Sequence, residues 1–226
     1  MSYKIVVMSC DKNKDLWKPF YHCMEKYWAN HPEIIYSTES IKNPYYKTIC
    51  RNLPIEQWTR RVYETIKDLP CKNILLMVDD LFMRDNVDND FIWSLQSYLD
   101  KPRVAALNFE FQFDKGDVPI DKLVSLRSYN GKFKVSCMCQ MWRKSAMLDL
   151  FNCDKDPWRF EKDNNAKNYN FLISKNGDFL NWGKPKDRWQ WGIVKGKWTQ
   201  ETKDFFDKEN IEVDYSQRGF YEEKNN

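Results

Sequence analysis

The sequence predicts an α/β fold in which a mostly parallel sheet is flanked by helices. Strand-like and helix-like segments alternate through the first half in the order β, α, β, α, β, α, β, which is typical of such sheets. One of the strand-like segments, Ile74–Val78, is apolar without interruption, as expected for a strand buried on both faces. The 226 residues are enough for one large domain with a substantial core.

The elements of the first half follow from the spacing of apolar residues. We expect strands over residues 4–10, 34–36, 73–78 and 104–107. Between them, apolar side chains recur at helical spacing after Asp15, after Asn52 and Pro54, and after Asp88 or Asn89, which are residue types that begin helices.

The second half has a different pattern. Residues 123–128 and 133–139 are strand-like and flank Asn130-Gly131, a dipeptide that favours the type I′ turn of an antiparallel hairpin. A short helix is predicted over 143–151 and a strand over 192–198. A last helix carries Phe205 and Phe206, and a polar tail follows it. We find no repeat and no linker that would divide the chain.

Composition excludes several classes of protein. The formal net charge of +3 is too small to indicate a nucleic-acid partner. The seven cysteines form no CxxC pair and only two histidines are present, so we predict free thiols in a reducing cytosol and no zinc site. No signal peptide and no run of roughly 20 apolar residues is present, which predicts a cytoplasmic protein without a transmembrane segment.

Two adjacent acids, Asp79 and Asp80, directly follow the buried run Ile74–Val78. Ligands of open α/β sheets bind outside the carboxyl ends of the strands. Paired carboxylates at that position can hold Mg²⁺ or Mn²⁺, and the cation can hold a diphosphate. The alternative is a strand-end pair that caps a helix or meets a lysine or arginine.

Further polar residues are candidates for the site. Ser9 and Asp11 lie at the end of the first strand, on the same edge as Asp79 and Asp80, where Asp11 could accept hydrogen bonds from a base or a ribose, or could serve only as a turn or cap residue. Glu161 lies among aromatic residues, which favours a raised pKa and a role as proton acceptor, although pairing with Arg159 or a neighbouring lysine is the alternative. The sequence Lys195-Gly196-Lys197 could neutralise a diphosphate or form a solvated basic turn.

Four segments together resemble a known family. They are Val78–Phe82, Gln140–Lys144, Pro157–Glu161 and Gly192–Trp198. They resemble, in this order, segments of GT-A type glycosyltransferases of bacteria and viruses, above all those of capsule and surface-polysaccharide gene clusters. Two positions depart from the family pattern: Arg159 stands where an acid is commoner, and Leu81 follows the acid pair where the broader family has Asp-x-Asp.

The resemblance implies a single GT-A-like, Rossmann-like domain over 1–226. Residues 1–110 would form the half that binds the nucleotide-sugar, 111–200 the acceptor half, and 201–226 a C-terminal helix and tail. The implied activity is transfer of a sugar from a nucleoside-diphosphate sugar, most simply a UDP-sugar, to a glycan or lipid-linked glycan. A lipid-linked acceptor would place the protein at the membrane surface.

The resemblance also implies roles for individual residues. Asp80 would bind Mn²⁺ or Mg²⁺, with Asp79 on the metal or the ribose, and Glu161 would be the general base of an inverting reaction. Donor-binding roles are implied for the residues Ser9, Asp11, Lys195 and Lys197, and acceptor-binding roles for Trp142 and Trp158.

Two other functions remain open on the sequence. One is a carbohydrate-binding protein without catalysis, which would use part of the 16% aromatic residues as stacking platforms. The other is a sugar-phosphate nucleotidyltransferase, which needs the same sheet edge and acid pair. The chain has no glycine-rich phosphate loop of the P-loop kind, which disfavours the second alternative.

Overall fold

The computed structural model describes residues 3–109, 117–127, 135–163, 166, 168–175 and 192–222. Eleven strands are present in this part of the chain: β1 Tyr3–Met8, β2 Ile34–Thr38, β3 Lys47–Cys50, β4 Asn73–Val78, β5 Val104–Asn108, β6 Val118–Pro119, β7 Val124–Leu126, β8 Gln140–Arg143, β9 Asn170–Ser174, β10 Ile193–Val194 and β11 Lys197–Trp198. The helices are α1 Lys14–Tyr27, α2 Trp58–Ile66, α3 Asn89–Gln96, α4 Lys144–Leu150, α5 Pro157–Asp163 and α6 Gln200–Glu209.

Nine of these strands form one sheet, in the order β3-β2-β1-β4-β8-β5-β9-β7-β6. The pairs β3/β2, β2/β1, β1/β4 and β5/β9 are parallel, whereas β8 runs antiparallel to both of its neighbours. Three further antiparallel pairs lie in the second half, β6/β7 and β7/β9 in the large sheet and β10/β11 in a separate small one. The predicted α/β class with a mostly parallel sheet is confirmed.

Two apolar clusters hold the layers together, one on each face of the sheet. One contains residues of α1, α3 and α6, and the other contains residues of α2, α4 and α5. Successive residues of β4 alternate between the clusters, with Leu75 and Met77 in the first and Ile74 and Leu76 in the second. Burial of such side chains contributes roughly 1.5–3 kcal/mol each, which explains why this strand is apolar on both faces.

The second half departs most from the predictions. The described part of the predicted strand 133–139, residues 135–139, is a loop, and strand β8 begins at Gln140. The predicted Asn130-Gly131 turn lies outside the described residues. Strands β3 and β9 were not predicted. The predicted strand 192–198 is a hairpin of β10 and β11, because a tight turn separates its ends.

Two general predictions can be compared with this part of the chain. All seven cysteines are free thiols. Among the described residues, no helix combines the length and the apolar character needed to cross a membrane.

Candidate functional site

The strand order reverses between β1 and β4, and polar residues follow both strands at that point. On one side of this point the sheet continues from β1 to β2 and β3, and on the other side it continues from β4 to β8 and β5. Met8 pairs with Val78, so Ser9 and Asp79 leave the sheet side by side. The Ser9 hydroxyl donates a hydrogen bond to the Asp79 carboxylate. Crevices at such reversals are where open α/β sheets bind ligands.

Asp79 is buried, and each of its carboxylate oxygens accepts a hydrogen bond from a side chain. One oxygen accepts the bond from Ser9, and the other accepts from Nδ2 of Asn13 at 3.0 Å. The Ser9 Oγ in turn accepts from Nε1 of Trp17 at 2.8 Å. Burial and the neighbouring charge of Asp80 raise the pKa of Asp79 to about 7, although the bonds from Ser9 and Asn13 act to lower it. Asp79 is therefore held rigidly by the loop that follows β1.

Asp80 has different surroundings. Its side chain is partly accessible, and within the described part of the chain only its own backbone hydrogen-bonds it. Desolvation raises the pKa of Asp80 to about 6, and the charge of Arg218 acts in the opposite direction. The carboxylate of Asp80 is thus available to an added ligand, and a cation would offset its unfavourable burial.

The residues fit a divalent cation shared with a substrate. Mg²⁺ is commonly bound by one or two carboxylates together with substrate phosphates and water. No group of three or more His, Cys, Asp or Glu side chains suited to a metal occurs among the described residues. The acid pair therefore suits a cation that a diphosphate helps to hold, and does not form a complete protein cage.

A basic hairpin is attached to the acid pair. The Gly192 amide donates to the Asp80 carbonyl at 2.9 Å, so β10 starts beside the acids. Lys195 and Gly196 form the two-residue turn with φ values of 50° and 79°, as in a type I′ turn. Both Lys195 and Lys197 are exposed. The structure thus brings two of the predicted diphosphate-binding residues to the segment that contacts Asp80.

Position 192 requires a glycine, because neighbouring atoms leave no room for a Cβ. A Cβ at this position would lie 2.1 Å from Cε2 of Phe82 and 3.0 Å from the Asp80 carbonyl oxygen. The Phe82 ring also stacks on Trp198 and meets Phe206 edge-on, with ring centroids 6.0 and 4.9 Å apart. Close backbone approach at Gly192 and these aromatic contacts fix the hairpin and α6 against the end of β4.

Asp11 is turned toward the loop that follows β2. Its carboxylate accepts hydrogen bonds from the amides of Ser40 and Ile41, both at 3.1 Å. Burial acts to raise the pKa of Asp11, but the bonds from Ser40 and Ile41 outweigh it and the pKa is lowered. Asp11 therefore joins two loops at the sheet edge, and its predicted contact with a donor stays a prediction.

Glu161 of α5 is connected to the same edge through the loop before β8. Its Oε1 accepts from the Cys137 amide at 2.7 Å. Gln140 pairs with Leu76 in an antiparallel register, so the residues that precede Gln140 run toward the carboxyl end of β4. Burial raises the pKa of Glu161, against the hydrogen bonds from Cys137 and Ser136. A carboxylate with a raised pKa is the better proton acceptor.

The two tryptophans predicted at the acceptor site have opposite environments. Trp158 is 64% exposed and has a face free for stacking. Trp142 has no accessible surface, and its ring packs edge-on against Phe151 and Phe171. The structure thus corrects the acceptor-binding role of Trp142, because it is a core residue without a face that a sugar could contact.

Three residues of this edge were not identified from the sequence. Asn13 hydrogen-bonds Asp79, Arg61 donates to the Ser9 carbonyl at 2.8 Å and also pairs with Glu39, and Arg218 lies near both acids. Asn13 lies in the polar loop after β1, and this position would have justified naming it as a candidate site residue. No local pattern marks Arg61 or Arg218, since tertiary folding alone brings them here.

Comparison with known proteins gives only distant likenesses. No protein-family profile and no curated protein matches this sequence. A cytidylyltransferase from Leptospira borgpetersenii is 9% identical, with a TM-score of 0.45 and coverage of 74% of this chain and 71% of that one. S. aureus TarS 1-349 in complex with UDP is 11% identical, with a TM-score of 0.49 and coverage of 77% and 57%.

A third solved structure is the CMP:2-keto-3-deoxy-manno-octonic acid synthetase complexed with CTP. It is 12% identical, with a TM-score of 0.46 and coverage of 76% of this chain and 89% of that one. At such identities and TM-scores, these likenesses carry no information about activity. The function proposed below therefore rests on the residues of the site.

Proposed function

We propose that this protein is a GT-A type glycosyltransferase that moves a sugar from a nucleoside-diphosphate sugar to an acceptor glycan. One observation carries the proposal. At the reversal point of the sheet, the acid pair lies beside a hairpin that presents Lys195 and Lys197. Among the described residues, only its own backbone hydrogen-bonds the Asp80 carboxylate, which leaves this acid available to a cation. Acids for a cation and ammonium groups for phosphate oxygens are what binding of a diphosphate requires.

The donor is proposed to lie across the ends of β1 and β4. Asp80 would hold Mn²⁺ or Mg²⁺, which supplies positive charge beside the departing diphosphate. Ser9 and Asn13 keep Asp79 oriented by their hydrogen bonds. Lys195 and Lys197 project from the hairpin and offset negative charge on the same leaving group. A UDP-sugar is the donor that we would test first.

The acceptor is proposed to approach from the side of α5. Its hydroxyl oxygen forms a new bond to the anomeric carbon while the bond from that carbon to the diphosphate oxygen breaks. The hydroxyl proton passes to the Glu161 carboxylate, whose raised pKa favours this transfer. The exposed ring of Trp158 offers a stacking surface for a sugar ring of the acceptor. A base on the acceptor side suits inversion at the anomeric carbon.

A thermal-shift measurement tests the donor half of the proposal. The protein is melted with UDP, CDP or GDP, each with and without Mn²⁺. Because a ligand that binds only the native state stabilises it by mass action, one nucleotide should raise the melting temperature only when Mn²⁺ is present. Asp80→Asn should abolish that rise, whereas Asp68→Asn should keep it, since Asp68 is an exposed residue just after α2.

Product analysis then separates the three functions. Incubation with the matching nucleotide-sugar and Mn²⁺ should release the nucleoside diphosphate, by transfer to an acceptor or slowly to water. Release of pyrophosphate from a nucleoside triphosphate and a sugar phosphate would instead identify a nucleotidyltransferase. Glycan binding that is indifferent to nucleotide and chelator, with no shift by any nucleotide, would identify a carbohydrate-binding protein without catalysis.

A further inference from the structure

The end of the described chain returns to the candidate site. Residues 210–222, called here the C-terminal segment, follow α6 and attach to strand β11. The Trp198 amide donates to the Gly219 carbonyl at 3.0 Å, and the Tyr221 amide donates to the Trp198 carbonyl at 2.8 Å. Gly219 has a φ of 62°, which lets the segment turn between these two bonds. The segment thereby carries Arg218 to the loop that follows β1.

The Arg218 guanidinium hydrogen-bonds three residues in that loop and at the start of α1. Its Nε and Nη2 donate to the two carboxylate oxygens of Asp15 at 2.6 and 2.7 Å. Nη2 also lies 2.9 Å from Oδ1 of Asn13 and 3.1 Å from the Lys12 carbonyl. A guanidinium bound in this bidentate way has a fixed plane, so it can impose an orientation on a third group.

That third group is the Asn13 amide, which links Arg218 to the acid pair. Oδ1 of Asn13 accepts from Arg218, and Nδ2 of the same amide donates to Asp79 at 3.0 Å. Only this orientation satisfies both neighbours, since an arginine has no acceptor and an ionised carboxylate has no donor. The contact to Arg218 therefore selects the amide orientation that Asp79 needs.

The local structure before α1 leaves the Asn13 side chain available for this link. Asn13 ends a 3-10 turn, Asp11–Asn13, that leads directly into α1. Its φ of −93° and ψ of 12° are not the extended values of a helix-capping residue, and its side chain makes no capping bond. The side chain contacts Arg218 and Asp79 instead.

We propose that Arg218 is a positioning residue that acts through Asn13 on Asp79, and that the C-terminal segment therefore completes the acid site. The expected effect of Arg218 on the affinity for Mn²⁺ with UDP rests on the function proposed above. The expected ordering of the loop after β1 by Arg218 does not, because it concerns only contacts within the chain. The two can be measured separately.

The first test compares Arg218→Met with Arg60→Met. Arg60 is a matched control, since it also pairs with one aspartate, Asp154, and contacts one asparagine oxygen, that of Asn152, but has no contact with Ser9, Asn13, Asp79 or Asp80. In the protein without ligands, amide hydrogen exchange over residues 9–15 should accelerate in Arg218→Met and stay unchanged in Arg60→Met. Acceleration confined to residues 215–222 would overturn the proposal.

The second test measures affinity for Mn²⁺ with UDP. Asp79 directly precedes Asp80, the proposed metal ligand, so Arg218 and Asn13 support the metal site from outside it. Loss of such an outer partner typically costs about 10- to 100-fold in metal affinity, and we expect that loss in Arg218→Met. Asn13→Ala should lose a similar factor, and the double variant should lose no more than either single one, because both break the same link. Multiplied losses in the double variant would show that Arg218 acts independently of Asn13 and would overturn the proposal.

Arg218→Lys separates positioning from charge and serves if Arg218→Met does not fold. A lysine keeps the positive charge but lacks the planar fork that contacts Asp15 and Asn13 together. We expect it to lose most of the affinity, and wild-type affinity would contradict a positioning role. If the wild-type protein binds no nucleotide with Mn²⁺, the proposed function fails, while the exchange experiment still decides whether Arg218 orders residues 9–15.

Discussion

Asp79 and Asp80 are adjacent in the chain, but their carboxylates have different partners. Asp79 is buried and receives bonds from Ser9 and Asn13, whereas Asp80 is partly accessible and is bonded only by its own backbone within the described chain. The acid that a cation can reach is thus Asp80, and Asp79 shapes the loop beneath it. The family resemblance implied Asp80 on the metal and Asp79 on the metal or the ribose, but no sequence pattern predicted the hydrogen bonds that Asp79 receives from Ser9 and Asn13.

The raised pKa values predict a pH dependence of stability. The folded-state pKa is about 7 for Asp79 and about 6 for Asp80, above the ordinary value of 3.8. Between about pH 4 and 7 the folded protein therefore binds more protons than the unfolded chain, and the contribution of these groups to the free energy of unfolding falls as pH rises. Urea denaturation should show Asp80→Asn gaining stability relative to wild type across this window.

Asp68→Asn is the control for that measurement, because Asp68 is exposed and follows α2 at a distance from the acid pair. This variant should not reproduce the gain in stability of Asp80→Asn, because the exposed Asp68 side chain carries no burial cost that the substitution could remove. A difference between Asp80→Asn and wild type that is independent of pH would contradict the account of Asp80 as a carboxylate destabilised by burial.

Glu161 provides the second prediction at this scale. Glu161→Gln keeps the shape of the side chain but removes the proton acceptor, so kcat for sugar transfer should fall by about 10²- to 10⁴-fold. Affinity for UDP with Mn²⁺ should be unchanged, because Glu161 is held by Cys137 and not by the acid pair. Steady-state kinetics and a nucleotide titration measure the two effects.

Glu64→Gln is a suitable control, since the Glu64 carboxylate of α2 forms a local ion pair with Lys67. It should change neither kcat nor affinity. If Glu161→Gln retained wild-type kcat, another group would have to accept the proton and the assigned role of Glu161 would be wrong.

At the scale of elements, the hairpin of β10 and β11 is the part whose placement matters most. Gly192→Ala would force a methyl group against Phe82 and the Asp80 carbonyl. We expect a loss of about 1–3 kcal/mol in the free energy of unfolding from overpacking. The hairpin should also move away from the acid pair and weaken nucleotide binding, which urea denaturation and a UDP titration with Mn²⁺ would measure.

Gly196→Asn is the matched control for this glycine. Gly196 has a φ of 79°, and a Cβ added there would meet no atom within 4 Å among the described residues. Asparagine also tolerates the left-handed region. The free energy of unfolding should change by no more than about 0.5 kcal/mol. Equal effects of the two substitutions would show that close packing at Gly192 does not position the hairpin.

Elements with strong local signals were predictable from the sequence. Strand β4 was predicted over its observed bounds because an unbroken apolar run ends abruptly in two acids. The start of α3 was predicted because Asp88 is a capping residue, and its side chain does accept from the Phe91 amide at 3.0 Å. These signals lie within a few residues of the feature they specify.

Elements that depend on distant partners were not predictable from the spacing of apolar residues, although the family resemblance marked Gln140–Lys144 as a strand-to-helix segment, as observed. Strand β8 has four residues and is defined by its pairing with both β4 and β5, which lie far away in sequence. Strand β9 is likewise defined by pairing with β5 and β7. The run 133–139 had a stronger strand pattern than β8, but its described residues form the loop that binds Glu161.

At the scale of the whole molecule, the site is assembled from segments distant in sequence. The loop after β1, the end of β4, the start of β10 and the C-terminal segment meet at one edge of the sheet. The ends of β1 and β4 were predicted at this edge because the carboxyl ends of parallel strands meet there. The start of β10 was linked to the donor site through the family resemblance of Gly192–Trp198. No sequence pattern predicted that Arg218 lies at this edge, since its position depends on how α6 packs against the rest of the protein.

The central claim is that Asp80 holds a cation that in turn holds a sugar donor. The most direct measurement is a crystal structure with Mn²⁺ and UDP, with anomalous diffraction to locate the metal. The account predicts a manganese peak within about 2.5 Å of an Asp80 carboxylate oxygen and in contact with the diphosphate. A nucleotide bound elsewhere, or at this edge with no metal on Asp80, would contradict it.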